Sequence, residues 1–139
     1  VTKAELEYIV RDHDAVRFAG RKAQLQKIAQ DLNEKYGAGT IELSIRDSYY
    51  NMLEKIEPHF HLVENARAAI RAAGLTPQET PVRGGTDGAT LSYHGLPCPN
   101  LGTGGRNFHG PFECITVEKM DQSVEVLLHL ADLYKDRAE

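Results

Sequence analysis

Most of the chain's 12 glycines fall in one block, residues 82–110, which reads VRGGTDGATLSYHGLPCPNLGTGGRNFHG. Glycine loses more conformational freedom on folding than any other residue and offers no side chain to a core. A block this rich in it cannot be mostly helix or strand. It must be largely loop, and long irregular loops in a compact domain tend to carry function.

The flanks of this block are regular, which locates the loops in a folded frame. Residues 5–12, ELEYIVRD, have strand character centred on Tyr8, Ile9 and Val10. Asp14 is the N-cap candidate of a helix in which Val16, Phe18, Ala19, Ala23, Leu25, Ile28, Ala29, Leu32 and Tyr36 recur at helical spacing, stopped by Gly37 and Gly39. In TIELSIRDSYY, Ile41, Leu43 and Ile45 alternate with Glu42, Ser44 and Arg46, the pattern of a half-buried strand. Residues 5–50 thus read strand, helix, strand, a right-handed crossover or half of a split β-α-β sandwich. The style changes near residue 52, a candidate boundary between two units. The stretch LEKIEPHFH carries a proline and reads as a connection. Leu62–Ala73 reads as a helix ended by Gly74, QETPV as a short extended piece, and PCPNLGTGG as strand, then loop. A short helix is expected from Thr86. A last helix, capped by Thr116, presents Met120, Val124, Leu127, Leu128, Ala131 and Tyr134 as its apolar face.

Composition narrows the class. With 139 residues, 41% hydrophobic and 26% charged, the chain can bury a core of domain size. A net charge of −4 and the absence of basic runs argue against a nucleic-acid partner. No apolar stretch approaches the roughly 20 residues of a membrane span, and no signal peptide is visible. The chain opens on Val1 rather than Met, so its native start is expected to lie elsewhere. Cys98 and Cys114 form neither a disulfide scaffold nor a C-x-x-C pair, and a reducing cytoplasm is the default reading.

Several stretches could carry chemistry. In VRGGTDGA, residues 82–89, the glycines permit a sharp turn or close backbone approach, Arg83 could fork onto a carboxylate and Asp87 could cap a helix. No Gly-Lys-Ser/Thr follows, so it is not a phosphate loop, and structural turn and ligand site stay equally open. LGTGGRNFHG is no dinucleotide fingerprint either. It does place His109 between flexible neighbours, with Glu113 able to orient it; from spacing alone the residue is a metal-ligand candidate or a plain loop histidine. His59 and His61 would turn to one side of an extended segment, but with no third ligand beside them a role at the start of the next helix is favoured. His13, His94 and His129 lack supporting partners. Arg11, closing the first strand, either pairs with Asp12 or Asp14 or meets an anionic ligand. Tyr49 and Tyr50 read as packing residues.

Taken together, IVRDHD, IELSIRDSYYNM, the block from VRGGTDG to NFHG and the acid of HGPFE closely resemble the C-terminal part of an aminotripeptidase in the di-zinc exopeptidase and deacylase family. The resemblance runs along essentially the whole chain. It implies an α/β fold: residues 1–51 as half of a ferredoxin-like β-α-β lid, and 52–139 as the C-terminal α/β segment of the zinc-exopeptidase catalytic domain. It implies that His109 is the last zinc ligand, in an NxHG loop, and that Arg11 binds the substrate's C-terminal carboxylate. The substrate cleft would be lined by Arg83, Gly84, Gly85, Thr86 and Asn107, with Asp87 ordering the loop. Arg106 stands where an aromatic is usual in the family.

The family's other parts, an HxDT-like motif, a bridging Asp, a paired EE that includes the general base and a further Asp, are not in this chain. The resemblance therefore implies a fragment of a larger cytoplasmic enzyme with two zinc ions, of which this chain supplies one ligand and no catalytic base. Zinc hydrolysis needs at least three protein ligands and a base, so the fragment alone is expected to be inactive. Its expected partners are a small peptide and the missing N-terminal part, and its unpaired strand edges favour pairing between copies. Two readings compete: a non-catalytic α/β module binding a partner through a strand edge, and an anion-binding domain using the glycine loops and Arg83.

Overall fold

Five α-helices and one 3₁₀ turn organise the computed structural model, which describes residues 2–82 and 84–135. They are α1 (Ala15–Tyr36), α2 (Leu53–Ile56), the 3₁₀ turn Glu57–His59, α3 (His61–Ala72), α4 (Asp87–Tyr93) and α5 (Val117–Lys135). None is long and apolar enough to cross a membrane. The backbone divides into two units: Val1–Asn51 with Pro81–Gly85, and Met52–Thr80 with Thr86–Glu139.

The first unit is built on α1. Asp14 caps it, accepting the Arg17 amide at 2.8 Å, and Gly37 at φ 109° ends it, a conformation that an L side chain resists. Phe18, Lys22, Leu25, Ala29 and Leu32 form its covered stripe, whereas Val16 and Tyr36 stay exposed. Side chains then tie the chain on either side to the helix. The Asn33 amide grips Ile41 at two points: its Nδ2 donates to the carbonyl at 2.9 Å and its Oδ1 accepts the N–H at 2.8 Å. Lys22 Nζ reaches both carboxylate oxygens of Asp47 at 2.9 Å, and Tyr50 Oη donates to the same group at 2.8 Å. Those bonds, Lys22 first, hold the Asp47 carboxyl below its ordinary range. Asn51 Nδ2 donates to the His13 carbonyl at 3.1 Å.

The strands expected over 5–12 and 40–50 do not form paired ladders among the described residues, and neither does one over 97–105. The only pairing among them is an isolated antiparallel bridge, Arg106 to Cys114. The described architecture is helical rather than α/β. A strand exists by its neighbour's hydrogen bonds, and a pattern without a neighbouring strand cannot supply them. Most of the apolar residues of 5–12 and 40–50 accordingly lie open, Tyr8 at 70% and Ile9 at 72% exposure, whereas Val10 and Tyr49 are half-buried.

The second unit packs α3 against α5, with Ala69 and Val126 buried. Gly74 at φ 74° ends α3, and the Leu75 amide donates back to the Ile70 carbonyl at 3.0 Å. Arg67 pairs with Glu64 and Glu79, fastening the segment after α3 to that helix. The stretch read as a connection is α2 and a 3₁₀ turn, since Pro58 sits in the first turn, where its missing N–H costs nothing. The apolar face of α5 also differs. Val126, His129 and Leu130 turn inward toward cover, whereas Met120, Val124, Leu127 and Leu128 remain 52–57% exposed. The helix is apolar on more than one side, and periodicity alone does not say which side a given neighbour covers.

Around α4 the fit is close. Thr86 rather than Asp87 is the N-cap, accepting the Ala89 amide at 3.2 Å. Asp87 occupies the first turn, where a negative charge suits the helix dipole. Buried Ser92 donates to the Gly88 carbonyl at 2.7 Å and accepts the Cys98 amide at 3.0 Å, and Asn100 Nδ2 donates to Thr86 Oγ1 at 3.1 Å. A Cβ at Gly88 would lie 2.5 Å from the Cys98 carbonyl oxygen. Gly88→Ala is expected to lower the unfolding free energy by about 2 kcal/mol through overpacking. At Gly84 nothing stands within 4 Å of an added Cβ, so Gly84→Ala should cost little. Urea titration checks the pair, and equal midpoints would contradict the assignment.

Candidate functional site

The His109 loop is a closed device. Its base is the Arg106–Cys114 bridge, with main-chain bonds of 2.8 and 3.2 Å. Within it the Gly110 amide donates to the Asn107 carbonyl at 3.0 Å, and the Glu113 amide to the Gly110 carbonyl at 3.1 Å. Asn107 at φ 55° and His109 at φ 63° both adopt the left-handed conformation. That region is sparsely populated by non-glycine residues, although Asn and His tolerate it better than most. Such a backbone persists only where the surroundings hold it. Two side chains do so here. Asn107 Nδ2 donates to the Phe112 carbonyl at 3.2 Å, and the Glu113 carboxylate accepts the His109 N–H at 3.1 Å.

Glu113 therefore acts on the main chain of His109, not on its ring, which corrects the expectation that it orients the imidazole. The ring is exposed and makes no hydrogen bond among the described residues. The loop's foundations lie on α5 and the preceding glycines. Ser123 Oγ donates to the Thr103 carbonyl at 3.0 Å, and Thr116 caps the helix at the loop's exit, accepting the Lys119 amide at 3.4 Å. A Cβ at Gly105 would lie 2.7 Å from Phe108 Cζ, so the ring next to the histidine occupies that glycine's clearance.

The other candidates are placed as follows. Asn107 shares the loop with His109. Thr86 serves as helix cap and as acceptor for Asn100. Arg11 is exposed in the segment before α1, where Asp12 is engaged instead by the Asp14 amide at 3.0 Å and by Arg21 at 2.8 Å. Gly84 is exposed, Gly85 lies against Tyr49, and Arg83 lies outside the described residues. His59 and His61 have ring centroids 6.3 Å apart, but the segment is helical rather than extended: His59 ends the 3₁₀ turn and His61 opens α3, consistent with the helix-start role. Among the described residues no three His, Cys, Asp or Glu are grouped to hold a metal ion. His109 fits the part of a single ligand, a presented and unengaged imidazole. Sequence reasoning missed the backbone role of Glu113 and the Tyr49–Gly85 contact; an acid four residues after a loop histidine was the only signal for the first, and nothing local signalled the second.

Residues 8–133 match peptidase family M20/M25/M40, and the chain belongs to that family. Within it, the chain is 52% identical over 134 residues to peptidase T of Clostridium novyi, covering 96% of this chain and 33% of that protein. It is 49% identical to peptidase T of Caldanaerobacter subterraneus and 51% identical to that of Bacillus pumilus. The chain spans about a third of the length of these relatives.

Glu113→Ala is expected to speed amide exchange at His109 about tenfold, the loss of one hydrogen bond to a charged acceptor. Glu113→Gln keeps a carbonyl acceptor and should spare it. Unchanged exchange in the alanine variant would show that the loop does not depend on this bond.

Proposed function

We propose that this chain is the C-terminal portion of a zinc-dependent aminotripeptidase, an enzyme that removes the N-terminal residue from tripeptides in the cytoplasm. Residues 1–51 form half of its lid, and 52–139 close its catalytic domain. Segments 5–12 and 40–50 then become strands of an α/β fold once the rest of the protein supplies their neighbours. One observation carries the reading: an unengaged imidazole, that of His109, stands on a backbone-pinned left-handed loop in a chain about half identical to peptidase T.

In the complete enzyme, His109 contributes a neutral imidazole nitrogen to one of two zinc ions. When bound, the metal supplies the Lewis acid that polarises the scissile carbonyl and lowers the pKa of water. Arg11 binds the peptide's C-terminal carboxylate through its planar fork of donors, fixing the distance from that end to the reacting bond. Arg83, Gly84, Gly85, Thr86 and Asn107 line the cleft, where the glycines let main chain approach the peptide closely. The general base and the remaining ligands belong to the part of the enzyme outside this chain.

In the complete enzyme, His109→Ala is expected to lose one of the two zinc ions by metal analysis. Its activity should fall more than about 100-fold, beyond the effect usual for residues that merely support a ligand. Two tightly held zincs in that variant would refute the assignment. Arg11→Ala should raise KM for tripeptides with a free carboxylate and matter much less for C-terminally amidated ones, measured by steady-state kinetics on both substrates. Equal effects on the two would rule out a carboxylate clamp.

A further inference from the structure

We infer that Tyr49 is a positioning residue for the glycine loop ahead of α4, seating it through van der Waals contact with Gly85. The inference rests on the proposed reading of Gly84 and Gly85 as lining the substrate cleft, and it names what holds them there. A Cβ built on Gly85 would stand 2.7 Å from Tyr49 Cε1, 3.0 Å from Cζ and 3.1 Å from Cδ1. An aromatic ring moves as one body, so relieving these three contacts means swinging the whole Tyr49 ring out of its place and not bending a flexible tip as at a lysine. Gly85 does not have a positive φ, unlike Gly37 or Gly74. Its lack of a side chain is therefore required by the ring and not by the backbone. Neighbouring Gly84 meets nothing within 4 Å, so the requirement is local to one residue.

The arrangement has a base and a consequence. Tyr49 follows Asp47 by two residues and precedes Tyr50, and both of these are fixed: Asp47 by Lys22 of α1, Tyr50 by its hydroxyl on Asp47. The ring is thus carried by a segment tied to α1. Pro81–Gly85 groups with residues 1–51, although the chain before and after it belongs to the other unit. The placement of the cleft-lining glycines is set by the α1 unit through Tyr49. Loss of the ring leaves the loop free to leave its binding position, which weakens the grip on the substrate while the reacting groups stay intact. This is a change in KM at nearly constant kcat.

The test is a double-mutant cycle in the complete enzyme, with a tripeptide as substrate. Tyr49→Ala and Gly85→Ala are each expected to raise KM about tenfold with kcat within a factor of about two, and the double variant to resemble Tyr49→Ala alone, because once the ring is gone the methyl added at Gly85 has no ring to strike. Tyr49→Phe keeps the contacting ring carbons and should recover most of the loss. Additive KM effects, or a fall in kcat at constant KM, would overturn the inference, the second being the mark of general destabilisation. Should Gly85→Ala fail to fold, the Tyr49→Ala and Tyr49→Phe pair decides the matter alone. Amide exchange at residues 84–86 gives a readout that does not depend on peptidase activity: it should speed up in Tyr49→Ala and not in Tyr49→Phe. An inactive wild-type enzyme with this exchange pattern would sink the peptidase reading and leave the seat standing; an active one with unchanged exchange would do the reverse.

Discussion

Side chains bonded to main chain hold the irregular parts of this protein in place. Backbone N–H and C=O groups need partners wherever they leave water, and outside the helices this chain has no ladder among its described residues to provide them. Asn33 does so for Ile41, Ser92 for Cys98, Asn107 for Phe112, Glu113 for His109 and Ser123 for Thr103. All but Ser123, which reaches back 20 residues to Thr103, bond within eight residues of chain, the habit that makes Asn and Ser favourable in turns and caps. The loops could not be this long and this defined without them, because apolar burial contributes little here. The buried hydrophobic residues among those described are Ala29, Ile56, Ala69, Ala89 and Val126, mostly small.

That modest core is informative beside the family match. The large apolar side chains are not missing; they are exposed, on α5 and along 6–9 and 41–45. A helix with one apolar side against α3 and another open suits a position between layers. Under the proposed reading, those open faces are where the remaining length of a peptidase T relative would pack.

The parts legible in the sequence were those governed by residues close in the chain. Asp14, Gly37, Thr86, Gly74 and Thr116 mark helix ends because capping is settled within four residues. The HGPFE spacing marked out His109 for the same reason, though the identity of its role came from resemblance to a family rather than from spacing. What depended on distant partners was not legible: whether 5–12 and 40–50 pair, which side of α5 is covered, and that Tyr49 meets Gly85 across 36 residues of chain. The two glycines of the RGG stretch look alike in sequence, yet only Gly85 faces a ring. Glu113 fell between these cases, near enough to be noticed but assigned to the ring when its oxygen takes the amide.

That last detail separates two properties that metal-binding loops often merge. When a carboxylate bonds to an imidazole nitrogen, it fixes the ring's tautomer and its basicity along with its direction. Here the carboxylate fixes only where the α-carbon of His109 stands. The loop leaves the choice between Nδ1 and Nε2 to whatever meets the ring from outside it. Under the proposed reading, loop geometry and ligand electronics can then vary independently, the first through Glu113 and the second through residues that approach the imidazole.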